Sequence, residues 1–134
     1  SGDEIKLGKM KFDVIWPEKG FESKELNETA IVGKLSFGDF DALLTSDAGL
    51  IALPVSADVL KVPHHGSKYG MTREWLEVVR PGLAIISVGK RNSYGHPTPE
   101  VLKLLSDQGI KMLRTDQDGT VEVVSDGKSY WVRR

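Results

Sequence analysis

The sequence contains no cysteine, which removes disulfide staples and thiolate metal sites from consideration. It also lacks any excess of charge: 18 basic residues stand against 19 acidic ones, for a formal net charge of −1. Binding to nucleic acid through overall charge is thereby excluded, and any such contact must be local. No apolar run approaches the roughly 20 residues that a membrane helix requires. No charged and then apolar leader stands at the start, so the reading is of a soluble, mature piece. Histidine is scarce, with three in 134 residues, and the positions of those three therefore carry weight. What is present is the composition of a loop-rich globular domain, 40% hydrophobic and 28% charged with 14 glycines. That length supports one domain with a real core rather than two.

Residues 1–10 mix charge and glycine without a period and are expected to form a loosely ordered lead-in. Phe12 to Trp16 reads as a strand stopped by Pro17, and 18–28 as a polar surface loop. Segments 30–37 and 40–45 flank Gly38-Asp39, a glycine-first connection suited to a tight hairpin. After a short apolar stretch at 50–53 comes a strand at 58–62. Thr72 is placed to cap a helix whose Trp75, Leu76 and Val79 share a face, with Pro81 beyond its end. Residues 83–88 form a nearly continuous apolar run, as expected of a strand covered on both faces. Thr98-Pro99 then opens a helix with Val101, Leu104 and Leu105 buried and Gly109 as its stop. Strands at 110–114, 120–124 and 129–132 follow, joined through Asp118-Gly119 and Asp126-Gly127 turns. The expected order is hairpin, β-α-β-α-β, and a terminal antiparallel pair, an α/β fold in a single unit spanning 1–134.

Two of the three histidines are adjacent in His64-His65-Gly66-Ser67, directly after the 58–62 strand and Pro63. Ends of strands in an α/β sheet are where ligands and catalytic groups collect. Two other loops also follow apolar strands: Thr45-Ser46-Asp47, and Asn92-Ser93-Tyr94-Gly95-His96-Pro97. If these strands are neighbours, Asp47, His64 or His65, and His96 converge at the sheet edge. Imidazole and carboxylate donors suit zinc or manganese. Ser67 is placed either to donate to an oxyanion or phosphate or to close a turn. Lys61, Lys68, Lys90 and Arg91 lie close in sequence to the loops. They form either an ordinary solvated face or local positive charge around an anionic substrate. Asp116 and Asp118, beside Gly119, read as turn formers rather than ligands.

The stretches LLTSDAG, ADVLKVPHHGSKYG and RPGLAIISVGKRNSYGHPTPEVLKLLSDQGIKMLRTDQDGTVEV resemble the C-terminal half of the metallo-β-lactamase-like domain of the ComEC type, from the bacterial competence DNA-uptake channel family. The resemblance runs from about Phe12 to the end, and the block 60–115 carries most of its specificity. It implies the C-terminal half of an αββα sandwich, a mixed sheet with helices on one face, with zinc or manganese in the complete domain. By that resemblance Asp47, His64 and His65 are the metal ligands, at least one of the pair binding directly. His96 is an outer ligand, proton donor or phosphate contact, and Ser67 joins it as a catalytic candidate. Lys68, Lys90, Arg91 and Asn92 are the implied phosphate contacts. Asn27 matches an asparagine that precedes the hairpin in the family, although Thr29-Ala30 departs from the serine usual there.

The chain departs from the family pattern in two places. Ser46 replaces the glycine usual before the aspartate, and its β-carbon is expected to shift the loop. The His-x-His-x-Asp-His cluster of the family's N-terminal half has no counterpart in these residues. The implied function is thus the C-terminal part of a metal-dependent phosphodiesterase or nuclease acting on DNA during uptake, expected to be inactive as the isolated chain and to bind metal weakly or not at all. The implied partners are single-stranded DNA or another phosphodiester, and the remainder of the domain. The implied location is the outer face of a bacterial inner-membrane channel, or else the cytoplasm. The alternatives are a non-catalytic assembly module that self-associates through an uncovered sheet face, and a free-standing hydrolase of another substrate.

Overall fold

The central strands carry apolar side chains on alternate positions for two faces, and the fold covers both. The structure, a computed structural model, describes residues 1–49 and 52–133. Leu50 and Ile51, which open the apolar stretch expected at 50–53, lie outside the described residues. Strands β1 (Glu4–Leu7), β2 (Met10–Trp16), β3 (Val32–Phe37), β4 (Phe40–Leu44), β5 (Val59–Lys61), β6 (Leu83–Ile86) and β7 (Lys111–Arg114) form one mixed sheet in chain order. Pairing is antiparallel from β1 to β4 and parallel from β4 to β7. Helix α1 (Arg73–Val79) connects β5 to β6, and α2 (Pro99–Asp107) connects β6 to β7. Strands β8 (Glu122–Ser125) and β9 (Tyr130–Arg133) form a separate antiparallel hairpin. No helix among the described residues is long and apolar enough to cross a membrane.

On one face Leu43, Leu60, Val62, Ala84 and Ile86 pack with Trp75, Leu76 and Val79 of α1 and Val101 and Leu105 of α2. On the other, Phe40, Ala42, Val59, Leu83 and Leu113 meet Val121, Val123, Tyr130 and Val132. The helices therefore share one face, and the β8–β9 hairpin covers part of the opposite face, which the sequence reading left uncovered. Its turn docks on the β3–β4 turn, where Asp39 N–H donates to the Gly127 carbonyl at 2.7 Å. Gly38, at φ +61°, is required there because a Cβ would lie 2.2 Å from that same carbonyl oxygen.

Helix ends follow local chemistry. Thr72 caps α1 by accepting from Trp75 N–H at 3.2 Å. Pro99 opens α2, while the side chain of Thr98 makes no capping bond and its carbonyl accepts from Val101 and Leu102 instead. At the other end Gly109 sits at φ +67°, and Ile110 N–H bonds back to Leu105 and Gly109 N–H to Ser106, the reversal that ends a helix on a left-handed glycine.

The lead-in departs from expectation: residues 4–7 are a paired edge strand, with Glu4 opposite Asp13 and Leu7 opposite Met10. All four residues are exposed, so no buried face imposes a hydrophobic alternation that the sequence could display. The consequence for function lies at one end of the sheet's central strands. Because β4, β5, β6 and β7 run parallel, with Leu44 beside Lys61 and Lys61 beside Ile85, the loops after them gather at one edge.

Leu60 is fully buried in the central strand β5 and faces the helices. Leu60→Ala is expected to cost about 2–5 kcal/mol, read as a lower midpoint in urea unfolding with an unchanged slope.

Candidate functional site

Hydrogen bonds between neighbouring strand ends build the edge. Thr45, buried after β4, donates its hydroxyl to the Lys61 carbonyl at 2.5 Å. Ser46 follows at φ +49°, the left-handed region that costs a non-glycine residue about 1–2 kcal/mol. Its carbonyl accepts from the His64 backbone N–H at 3.1 Å and from the Lys61 ammonium at 2.9 Å. Ser46 bears this strain while its carbonyl ties the loop to the histidine turn.

The turn Pro63–Gly66 holds His64 at φ +46° and His65 at φ +55°, both left-handed. Gly66, at φ +85°, lies against the third loop: a Cβ on it would come 2.5 Å from Pro97 Cβ, and its carbonyl accepts from Thr98 N–H at 3.0 Å. Asn92 braces that loop from within. Its Nδ2 donates to the Gly89 and His96 carbonyls at 3.2 and 2.8 Å, and its Oδ1 accepts from His96 N–H at 2.9 Å. Thr115 Oγ1, after β7, both accepts from Val88 N–H and donates to the Val88 carbonyl, each at 2.8 Å.

This scaffold brings Asp47 and all three histidines together. His65 Nδ1 lies 2.6 Å from the Ser87 carbonyl and its Nε2 lies 3.2 Å from Asp47 Oδ1. A carbonyl only accepts, so Nδ1 carries a proton. In a neutral ring Nε2 would then turn a lone pair toward a carboxylate oxygen. An imidazole nitrogen and a carboxylate oxygen facing each other in this way are donors of the kind a divalent cation accepts. His64 packs edge-on to both other rings, 6.4 Å from His65 and 5.8 Å from His96 between centroids. Among the described residues no three His, Asp or Glu side chains close into a metal-ligand set. Asp47 and His65 thus fit as two ligands of a divalent ion, with donors of the right chemistry but too few of them.

His96 Nδ1 is buried without a hydrogen-bond partner among the described residues, which favours the tautomer whose proton sits on Nε2. Burial, and next the nearby His64 and His65, hold its pKa below the usual imidazole value. Tyr94 stacks nearly parallel to this ring, 6.1 Å away at 15°. Burial also lowers the pKa of Lys61, partly opposed by the charge of Asp47.

The remaining predicted residues divide by what they touch. Ser67 is buried and its Oγ accepts from Tyr69 N–H at 3.4 Å, the turn-closing use. The Asn92 amide is used within its own loop. Lys68 is exposed and lies 5.1 Å from the Tyr69 ring centroid. Lys90 and Arg91 are exposed and make no ion pair among the described residues. Asp116 forms a two-pronged pair with Arg114, at 3.1 and 2.7 Å, and Asp118 accepts from Arg114 N–H. Sequence reasoning did not find the bracing by Lys61, Thr45 and Thr115. A hydroxyl at each of two strand ends was the available signal. The Ser87 carbonyl carries no side-chain signal at all.

Comparison with protein-family profiles gives no match. Among curated proteins the chain is similar to ComE operon protein 3 of Bacillus subtilis, at 37% identity over 129 residues, 90% of this chain and 16% of that protein. It is also similar to competence protein ComA of Neisseria gonorrhoeae, at 39% over 66 residues, 49% of this chain and 10% of that protein. Recombination protein 2 of Haemophilus influenzae matches at 36% over 92 residues, 64% of this chain and 12% of that protein. These names point to competence-related proteins, and the chain spans only a small part of each.

The geometry sets two expected outcomes. Gly66→Ala forces the histidine turn away from Pro97, so the nuclear Overhauser contacts between the His64 and His96 rings should disappear while the α1 signals persist. In an NMR titration the His96 Hε1 midpoint should fall below about 6.5, the free imidazole value. Because folding depresses this pKa, its contribution to stability is complete above the unfolded value and is lost as pH falls through the folded one.

Proposed function

We propose that the chain supplies one wall of a divalent-metal phosphodiesterase centre in a competence-related protein, with DNA as the substrate. The observation that carries the reading is His65, which donates from Nδ1 to a backbone carbonyl and turns Nε2 to Asp47. Metal-bound histidines almost always donate their second ring N–H in this way, which fixes the tautomer and the ring orientation. The mixed sheet with α1 and α2 on one face is compatible with half of an αββα metallo-β-lactamase sandwich. The similarity to competence proteins supports DNA uptake as the setting.

In this reading Asp47 and His65 hold zinc or manganese, with His64 beside them, and the remaining ligands come from outside this chain. Such an ion polarises a phosphoryl oxygen and lowers the pKa of bound water toward neutrality. His96, its pKa held below the usual imidazole value, offers its Nε2–H as a hydrogen bond to a phosphate oxygen. Lys68, Lys90 and Arg91 hold the anionic strand at the edge, and Asn92 keeps the loop in place with its amide. Ser67 supports the turn on which His64 and His65 sit rather than acting as a nucleophile.

Manganese titration followed by NMR tests this reading. Paramagnetic broadening should reach the His65 and Asp47 signals first, and Asp47→Asn should weaken it at least about tenfold. Broadening that is unaffected by the substitution overturns the assignment. Hydrolysis of single-stranded DNA by the purified chain, abolished by Asp47→Ala, would show the centre complete within these residues and overturn the one-wall reading.

A further inference from the structure

We propose that the cleft beside the histidine cluster is a nucleobase subsite, with the ring of Tyr94 as its stacking platform. The cleft has a volume of about 200 Å³ and is lined by His65, Val88, Gly89, Asn92, Tyr94 and His96. It therefore shares His65 with the metal pair and His96 with the phosphate role, which puts its occupant next to the reacting phosphodiester. The identity of that occupant rests on the phosphodiesterase reading.

Tyr94 is 82% exposed, so core packing gives no account of an aromatic residue at this place. The segment that carries it is nonetheless held firmly, since Asn92 binds the loop carbonyls of Gly89 and His96 and the His96 N–H. The near-parallel stack on His96 fixes the ring plane from one side. An exposed, oriented aromatic face on a braced loop is what base stacking requires.

Gly89 adds an independent observation. Its backbone is not left-handed, and a Cβ built on it meets nothing within 4 Å. With no side chain, Gly89 leaves the cleft open on that side. Charge agrees with this occupant. Lys90 and Arg91 come directly after Gly89 and are exposed, while the chain as a whole has a net charge of −1. Following the histidine turn in sequence, Tyr69 is 70% exposed with Lys68 over its ring at 5.1 Å.

The subsite selects unpaired strands. A base within a duplex has both faces covered by its neighbours, and only an unpaired base can offer a face to Tyr94. Recognition through the ring face is tolerant of base identity, and the sugar is not what the ring reads.

The test is binding by the purified chain in chelator-treated buffer, so that no metal is needed. A short single-stranded oligodeoxynucleotide is titrated while the Tyr94 and His96 ring signals are followed by NMR, with dissociation constants from fluorescence anisotropy. Tyr94→Leu should weaken binding about tenfold, and Tyr94→Phe should retain it, since the ring and not the hydroxyl is used. An abasic strand of the same length and the matching duplex should both bind less tightly than the base-bearing single strand, and should leave the Tyr94 ring signals unmoved. The oligoribonucleotide of the same sequence should match the deoxy strand, which separates base from sugar recognition. Equal binding by abasic and base-bearing strands, or unchanged affinity in Tyr94→Leu, overturns the subsite. If that happens while manganese still broadens His65, the subsite alone falls. If Tyr94 binds bases but manganese ignores Asp47, the subsite stands and the hydrolase reading falls.

Discussion

The carbonyl oxygen of Ser46 accepts one hydrogen bond from the His64 backbone and another from the Lys61 ammonium, and the rest of the site depends on that junction. It joins the end of β4 to the turn after β5, so the loop that carries Asp47 and the turn that carries His65 cannot move independently. Parallel pairing brings the two strand ends side by side, but a sheet register fixes backbones only to the last paired residue. The junction at Ser46 extends that order beyond the sheet, to within 3.2 Å between an imidazole nitrogen and a carboxylate oxygen.

This extension has an energetic cost. Ser46, His64 and His65 all occupy the left-handed region, at about 1–2 kcal/mol each for residues that carry a Cβ. Such strain persists only where surrounding structure over-determines it, and it collects at functional sites. Here the over-determination is visible. Leu43, Leu60 and Val62 are fully buried beneath the edge, Gly66 is closed against Pro97, and Thr115 clasps both polar groups of Val88. The core and the flanking loops hold three strained residues in place at the point where the chemistry is proposed.

What the sequence made legible came from side chains with a single local use. Gly38-Asp39 announced a hairpin because its φ demand is local, Thr72 announced a helix start through its hydroxyl, and the apolar run at 83–88 announced a doubly covered strand. The three strand-end loops could be nominated because adjacent imidazoles after an apolar run are unusual. Less legible were features that depend on partners distant in sequence. Glu4–Leu7 is exposed on both faces and so shows no pattern, although it pairs along its length with β2. The docking of the β8–β9 turn rests on a backbone bond from Asp39 to Gly127, which no side chain encodes. The tautomer of His65 is set by the Ser87 carbonyl, and Ser67 and Asn92 turn out to be engaged within their own loops, uses that only the folded geometry distinguishes from ligand contact.

Lys61 shows how the edge keeps a bracing charge apart from the Asp47 carboxylate. Its ammonium lies near enough to Asp47 for that carboxylate to offset part of the effect of burial on its pKa. Its hydrogen bond, however, goes to the neutral carbonyl of Ser46, and the Asp47 oxygen faces His65 instead. A lysine bonded directly to Asp47 would neutralise the carboxylate and compete with a metal ion for it. Placed one residue away, the same charge secures the loop and leaves the carboxylate facing His65. The separation between a lysine that braces the loop and a carboxylate turned to His65 is therefore built into the backbone of the Ser46 turn.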